Sequence, residues 1–400
     1  MIRRIYLLTT NACNMACKYC YQLLPVNDTR REPVRYMTVA TAEKILQSIL
    51  DRELPVEKRF QIYFFGGEPT LNRPVLLYFW RAAQRLRNAG FQPVFTIQSN
   101  LWTSALLELV ADGVFFSSVT VSIDGPKDVH DRNRVTVGGS GTYNSIMSHL
   151  LNLLDLKRAG KVGLVSVEAT LTTPTQSFAG VSQFLMGMGI DHQILVPEAN
   201  AIAEYDEQFR TRWLELVEFI LDSLKSHNPV FEASTLARIV ATVKPGMQTN
   251  CGAGSRSISI APDGVIYPCG SLTNVAPYRQ GTVAEIQTAL EGPVAKALNV
   301  RKSEVDSVCR DCSYNTPCRQ QCFASNFYRS RDHYRFNNPF CRIEQTTLDL
   351  IARKIGEMDG REIDRFAMNI KLAMSHAPLS LAHHSDGAFP LSGQAVPPVA

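Results

Sequence analysis

"TTNACNMACKYCYQ", residues 9–22, follows directly on the first hydrophobic run, "RIYLL" (4–8), and places Cys13, Cys17 and Cys20 within eight residues. A structural zinc site wants four tetrahedral ligands, and no His or further Cys stands near enough in sequence to be the fourth. Three thiolates suit a 4Fe–4S cube with one iron left open. The other cysteines are also clustered. After Cys20 none occurs for 230 residues; then come Cys251, Cys269, Cys309, Cys312, Cys318, Cys322 and Cys341, ten in all. Small buried hydrophobes would be scattered, and clusters of this kind in a reducing compartment mean metal rather than disulfides.

Around the opening loop the chain alternates strand-like and helix-like segments. "RIYLL" reads as a strand and 38–53 as a helix, with Ile45, Leu46, Ile49 and Leu50 on one face. Strands at 61–65, 94–98, 118–123, 161–171 and 192–196 alternate with helices at 74–88, 103–112, 142–158, 177–188 and about 206–226. Six β–α repeats with short connections imply a parallel sheet, open or rolled into an incomplete barrel, with its chemistry at the carboxyl ends of the strands. Residues 226–250 read as a linker with a short helix. From 251 the texture changes: "SISIAPDGVIYPC" (257–269) is a hairpin on a Pro-Asp-Gly turn. Cysteine-rich loops, a helix at about 343–357 and a helical segment to 375 follow. Residues 376–400 are Pro-, Ser- and Gly-rich and read as a disordered tail.

Composition narrows the function classes. The 400 residues are 45% hydrophobic and 20% charged, as in ordinary globular proteins. No apolar run approaches the ~20 residues of a membrane span, and "MIRRIYLL" is no signal peptide. Cytoplasm is the expected compartment. A formal net charge of +4 with no basic stripe excludes nucleic acid as the expected partner.

The strand ends carry ligand-binding chemistry. "FFGGEP" (64–69) closes the second strand, its Gly66 and Gly67 allowing close backbone approach and its Glu68 offering a carboxylate to an ammonium. "QSN" (98–100) closes the third with groups suited to a ribose. "SIDG" (122–125) closes the fourth, and "HDRNR" (130–134) adds cations.

With these residues in place, the chain resembles the radical S-adenosylmethionine (SAM) enzymes, whose mark is a CxxxCxxC loop after the first strand of a partial (β/α)6 barrel, followed by a GGE motif. The resemblance covers about 1–225. It implies that Cys13, Cys17 and Cys20 hold a 4Fe–4S cluster whose open iron binds SAM. Tyr19 matches the aromatic near the adenine. Gly66, Gly67 and Glu68, with Pro69 completing the motif, match the clasp on the methionine amino group. Ser99 and Asn100 correspond to ribose contacts, Ser122 to a methionine-carboxylate contact, and Arg134 to a further carboxylate partner. Asp124 fixes a turn or joins that site; Leu195 is an adenine wall or core.

The second cysteine set resembles the SPASM domain, the seven-cysteine appendage of peptide-modifying radical SAM enzymes, over roughly 251–345. The family pattern implies two auxiliary 4Fe–4S clusters, making three in all. Cys251, Cys269 and Cys322 would hold the nearer one, and Cys309, Cys312, Cys318 and Cys341 the outer one. Some relatives place an eighth cysteine just upstream of the first; "TVKPGMQTN" (242–250) contains none.

The expected fold is therefore α/β: a partial (β/α)6 TIM-type barrel followed by a small cysteine-rich domain with a β-hairpin and a C-terminal helix. The expected function is oxidative maturation of a ribosomal precursor peptide by cross-linking at an unactivated carbon. "SIDGPKDVHDRNRVTVGGSGTYNSI" (122–146) resembles the corresponding stretch of cyclophane-forming maturases; a thioether is the other cross-link. The rival is a sulfatase maturase forming formylglycine, whose base is an aspartate immediately after "YPC"; here that residue is Gly270. A non-catalytic iron–sulfur or zinc protein is the alternative from another class. The catalytic base is not identified. The implied partners are a precursor peptide, a flavodoxin or ferredoxin as reductant, and, because no leader-binding winged helix precedes the first strand, a leader docked on the barrel or on a separate protein.

Overall fold

The computed structural model describes residues 1–20, 33–172, 174–175, 177–198, 207–243, 252–318, 322–336 and 340–375. The strands among them are, in chain order, β1 (Ile2–Leu8), β2 (Val56–Phe65), β3 (Gln92–Ser99), β4 (Ser118–Ser122), β5 (Leu164–Leu171), β6 (His192–Pro197), β7 (Ser257–Ile260), β8 (Val265–Tyr267) and β9 (Gly281–Thr282). The chain divides into two compact units: residues 1–123, 127–165 and 252–300, and residues 124–126, 166–251 and 301–400.

In the first unit β1, β2, β3 and β4 pair in parallel in that order, and the other edge of β1 takes β7 in parallel, Arg4↔Ser257 to Leu7↔Ile260. β8 and β9 then add antiparallel. The hairpin expected at 257–269 thus extends the first strand's sheet. Residue alternation decides the faces. Ile5, Leu7, Ile62, Phe64, Phe95, Ile97, Val119, Val121, Ile258 and Ile260 form one fully buried apolar set. Each helix facing such a set supplies an apolar stripe; Val39–Leu50 buries Ala42, Ile45, Leu46 and Ile49, and Thr38 caps it by accepting from Thr41 N.

Most of the alternate residues are polar or aromatic: Arg4, Tyr6, Gln61, Tyr63, Thr96, Gln98 and Ser259, with Leu8 and Val94 as aliphatic exceptions. They are joined by Arg4 Nε to Gln61 Oε1 (2.5 Å), Gln61 Nε2 to Thr96 Oγ1 (2.8 Å) and Tyr63 Oη to Gln98 Oε1 (3.2 Å). A purely structural parallel sheet is apolar on both faces. This one keeps its second face for polar groups, as a barrel lumen with a function requires.

In the second unit β5 and β6 pair in parallel from Ser166↔His192 to Leu171↔Pro197. Helices Phe178–Met186, Glu207–Leu224, Ala233–Val243, Phe340–Gly356 and Gly360–Ser375 complete it, with short helices Lys302–Val305, Ser307–Arg310 and Phe323–Ser330 carrying the cysteine-rich segment. Its core is centred on Trp213, whose Nε1 donates to Thr347 Oγ1 at 3.1 Å. Beside it lies a buried ion pair, Arg238 Nε to Glu344 Oε2 at 2.8 Å, with the guanidinium over the Trp213 ring. Removing Arg238 would strand a buried carboxylate, a loss of roughly 3–5 kcal/mol.

Several short helices were not foreseen: Lys127–Asn133, Ile286–Glu291, Pro293–Leu298 and, where cysteine-rich loops were expected, Lys302–Val305, Ser307–Arg310 and Phe323–Ser330. Lys127–Asn133 is short and polar, and it is held by tertiary contacts rather than by an apolar stripe. Among the described residues no helix is long and apolar enough to cross a membrane.

Candidate functional site

The loop bearing Cys13, Cys17 and Cys20 is laid by backbone bonds onto the carboxyl end of β2. Gly67 N donates to Thr10 O (2.9 Å) and Glu68 N to Ala12 O (2.8 Å). A Cβ on Gly66 would stand 2.3 Å from Thr10 O, and one on Gly67 would stand 2.0 Å from Ala12 O; Gly66 also has φ +145°. The two glycines therefore admit the cysteine loop itself. Asn72 fastens the loop's entry, its Nδ2 donating to Thr9 O (2.8 Å) and Met37 O (2.9 Å). The far side is held by Ala16 N to Val135 O and Lys18 N to Asn133 O.

Those last acceptors lie at and just beyond the end of helix Lys127–Asn133. Asp131 Oδ1 accepts from Thr142 N (2.8 Å) and Tyr143 N (2.9 Å), so it caps helix Tyr143–Arg158 from a distance, and its other oxygen pairs with Lys127. A Cβ on Gly141 would meet that carboxylate. Partial burial works against ionisation of Asp131, but the Lys127 ammonium and the two N–H donors outweigh it and hold the carboxyl below its ordinary range. His130 is wholly buried and bonds Thr142 Oγ1 at 3.0 Å.

Glu68 is 1% exposed. Its two oxygens accept from Thr70 N (3.2 Å), Thr70 Oγ1 (2.7 Å), Ser99 Oγ (2.9 Å) and Asn100 N (2.8 Å). Burial raises its pKa, while these four donors pull the other way. A carboxylate has about four lone-pair sites, and here the protein fills them. The side chain thus ties the end of β2 to the end of β3, setting Ser99 and Asn100 beside the cysteine loop. Asn100 Nδ2 donates to Asn14 Oδ1 (2.7 Å) and lies 3.8 Å from Cys13 Sγ. Pro69 opens the short turn that follows Glu68.

The Arg134 guanidinium lies 5.4 Å from the centre of the Tyr19 ring, bringing together two residues expected at SAM. Ser122 ends β4 and is buried. In the second unit, Asp124 Oδ1 accepts from Thr170 N at 3.0 Å, and Leu195, 1% exposed, donates its N–H to Glu232 Oε1.

The residues fit an iron–sulfur cluster and a polar ligand at this sheet end. Cys13 is open to solvent yet walled by protein; burial pushes its thiol up to about 12, Met15 N–H opposes this, and Glu68, Cys17 and Cys20 add to it. Cys13 therefore feels both other thiols. Iron would hold them deprotonated. Asn14 Nδ2 is buried with no acceptor, a donor awaiting a group at the loop. Among the described residues no three His, Cys, Asp or Glu side chains gather as closely as a single metal ion requires; a cube takes its thiolates at separate corners.

Of the later cysteines, Cys251 lies outside the described residues. Cys269 follows β8 in the first unit, and its carbonyl accepts from Leu272 N and Thr273 Oγ1. The next residue, Gly270, is buried; a Cβ there would come within 3.2–3.3 Å of the Phe65 and Tyr6 rings. These rings and Tyr63 pack edge to face, with Tyr6 5.3 Å from Tyr63 and 5.6 Å from Phe65. In the second unit, Cys322 Sγ accepts from Ser325 N (3.4 Å) at the start of helix Phe323–Ser330. Cys309 is pushed up to about 12 by burial and Asp306; Lys302 opposes, and Cys341 and Cys318 contribute. Gln345 Nε2 lies 3.8 Å from Cys312 Sγ, and Cys341 Sγ donates to Phe336 O.

Sequence reading missed Asn72, Asp131 and Gly141, and saw the glycine pair only as a ligand approach. Position 72, three residues past the "GGEP" run, was the one available signal for the first.

Comparison with known proteins agrees with this architecture. Residues 7–167 match the radical SAM superfamily and residues 251–313 an iron–sulfur cluster-binding domain of the SPASM type. The serine-type anaerobic sulfatase-maturating enzyme of Klebsiella aerogenes is 23% identical over 347 residues, 81% of this chain and 82% of that protein. Among solved structures, a His-tagged anaerobic sulfatase-maturating enzyme (anSMEcpe) with bound AdoMet aligns with a TM-score of 0.70 at 18% identity, covering 94% of this chain and 99% of that one. SuiB of Streptococcus suis bound to its precursor peptide SuiA aligns with a TM-score of 0.61 at 14% identity, covering 86% and 76%. These likenesses establish the partial-barrel α/β fold with its cysteine-rich extension.

Proposed function

We propose that this chain, a radical SAM enzyme carrying a SPASM domain, is a peptide maturase that oxidatively cross-links a ribosomal precursor at an unactivated carbon, forming a carbon–carbon cyclophane in preference to a thioether. SAM bound at the cluster of Cys13, Cys17 and Cys20 supplies a 5′-deoxyadenosyl radical when reduced. Forming a cross-link takes two hydrogens from the peptide. One is lost as a hydrogen atom, giving 5′-deoxyadenosine, and the other as a proton and an electron. Cysteines 251, 269 and 322, and 309, 312, 318 and 341, would hold two auxiliary clusters able to receive that electron.

The protein's own part is placement. Gly66 and Gly67 seat the cysteine loop. Glu68 fixes Ser99 and Asn100 at the ribose side, and it meets the SAM ammonium only in competition with its four internal donors. Tyr19, backed by Arg134, offers a ring to the adenine, while Ser122, with Asp124 at the turn, stands at the methionine carboxylate. Leu195 is core or adenine wall.

One observation carries the choice of reaction: the position that would bear the formylglycine base is Gly270, and the Phe65 and Tyr6 rings close it. Ser271 is far too weak a base near neutral pH. A cross-link can lose its proton elsewhere. Formylglycine formation is the second reading, favoured by the sulfatase-maturating relative that spans 81% of the chain. The enzyme would work in the cytoplasm, reduced by a flavodoxin or ferredoxin, with the peptide leader docked on the barrel or on a separate protein. Co-expression with the small open reading frame beside its gene tests this: a product lighter by two hydrogens, with fragmentation blocked across one short segment, is expected. A Cys- or Ser-derived aldehyde would favour the second reading.

A further inference from the structure

Lys302 occupies an unusual place for an ammonium. It opens the helix Lys302–Val305 yet is 5% exposed, and its Nζ donates to the Cys318 carbonyl at 2.9 Å. An ammonium has three N–H donors, and one buried without counter-charge is strongly disfavoured. Among the described residues no carboxylate lies within ion-pair distance of it, and its acidic neighbours are engaged elsewhere. Glu304 accepts from Arg301 N (2.9 Å) and pairs with the Arg301 guanidinium, and Asp306 accepts from Val308 N and Cys309 N. What Lys302 does reach is the peptide of a cysteine: its Nζ is bonded to the carbonyl of Cys318. Cys312 has a neutral donor, Gln345.

We propose that Lys302 is the fixed counter-charge of the cluster held by Cys309, Cys312, Cys318 and Cys341, anchored on the Cys318 carbonyl and raising that cluster's reduction potential. The inference rests on reading those four cysteines as cluster ligands. Reduction adds negative charge, so a nearby buried cation favours the reduced form; net charge and hydrogen bonds to sulfur are the protein's levers on such centres. Lys302 is a positioning residue and touches no substrate.

The test is a redox titration of the full-length, anaerobically reconstituted enzyme followed by electron paramagnetic resonance, with iron analysis, on the wild type, Lys302→Met, Lys302→Gln and Lys302→Arg. Met and Gln should move the midpoint of one cluster to lower potential and leave the others in place, while Arg should stay near the wild type. Loss of about four irons in Met and Gln but not in Arg would also support the proposal, because the charge would then be needed to hold the cube. Unmoved midpoints in Met and Gln, or loss of the cluster in all three variants, would overturn it. Failure of the underlying reading looks different: Cys309→Ala/Cys312→Ala would then remove no iron from the wild-type background.

Discussion

The molecule builds its two cysteine-rich segments in different ways. The Cys13–Cys20 loop is stitched by main-chain bonds to strand ends and to residues 133 and 135, with two glycines letting it lie flat. The Cys309–Cys341 segment instead carries five thiols: Cys309 in a four-residue helix, Cys312 and Cys318 after it, Cys322 at the start of helix Phe323–Ser330 and Cys341 in helix Phe340–Gly356, with side-chain bonds from Lys302, Asp306 and Tyr314, the last bonding Asp349 at 2.9 Å. The first loop borrows the rigidity of a sheet. The second has a small aromatic core of its own, Phe323 against Phe336 with ring centres 5.6 Å apart, and like a small scaffold it would gain further stability from bound metal.

The largest expected effect breaks this contrast open. Changing Cys13, Cys17 and Cys20 together to Ala should remove about four irons of about twelve and abolish 5′-deoxyadenosine formation, leaving proteolytic resistance intact. Cys309→Ala/Cys312→Ala should also lose about four irons, but it should expose residues 301–345 to protease. Equal protease resistance in both variants would show that the segments do not differ.

Next in size is Gly67→Ala. Its methyl group would collide with the Ala12 carbonyl, so about 3 kcal/mol of stability should be lost, together with the SAM cluster. Urea unfolding and iron content measure both. A fully loaded, equally stable variant would mean that the loop is not seated as described.

Glu68→Gln is smaller. It turns an NH2 toward groups that are themselves donors, at a local cost of about 1–3 kcal/mol. SAM affinity should fall because Ser99 and Asn100 lose their anchor, while the cluster persists. Calorimetry on the reconstituted enzyme reads the affinity, and an unchanged value would detach Glu68 from the site.

How much of this was legible in sequence follows from distance along the chain. β1 to β6 and most helices declare themselves by local alternation and stripes, and the cysteines and strand-end motifs by spacing. Asp131, Gly141 and Asn72 were silent because their meaning lies in partners 10 to 63 residues away. Lys302, in "RKSEVDS", reads as a surface lysine until burial and the Cys318 carbonyl reveal it. The hairpin β7–β8 was legible as a hairpin, but not as the extension of β1, since its pairing with Arg4 to Leu7 spans about 250 residues of sequence.

The smallest effect is Asp131→Asn, which removes a charged cap worth about 1 kcal/mol. The folded carboxyl titrates below its unfolded value of about 3.9, so its contribution is present above that pH and is lost as pH falls through the folded value. The difference in Tm between wild type and variant should be full at pH 7 and should narrow as pH falls below about 4. A gap independent of pH would mean that the charge is not what caps the helix.

The central proposal, that Gly270 leaves this enzyme without the base formylglycine formation needs, is tested most directly by offering reduced enzyme and SAM a sulfatase-type Cys-x-Pro-x-Arg peptide and following it by mass spectrometry. The account predicts 5′-deoxyadenosine at no more than background and no aldehyde. Multiple-turnover conversion to the formylglycine peptide would contradict it.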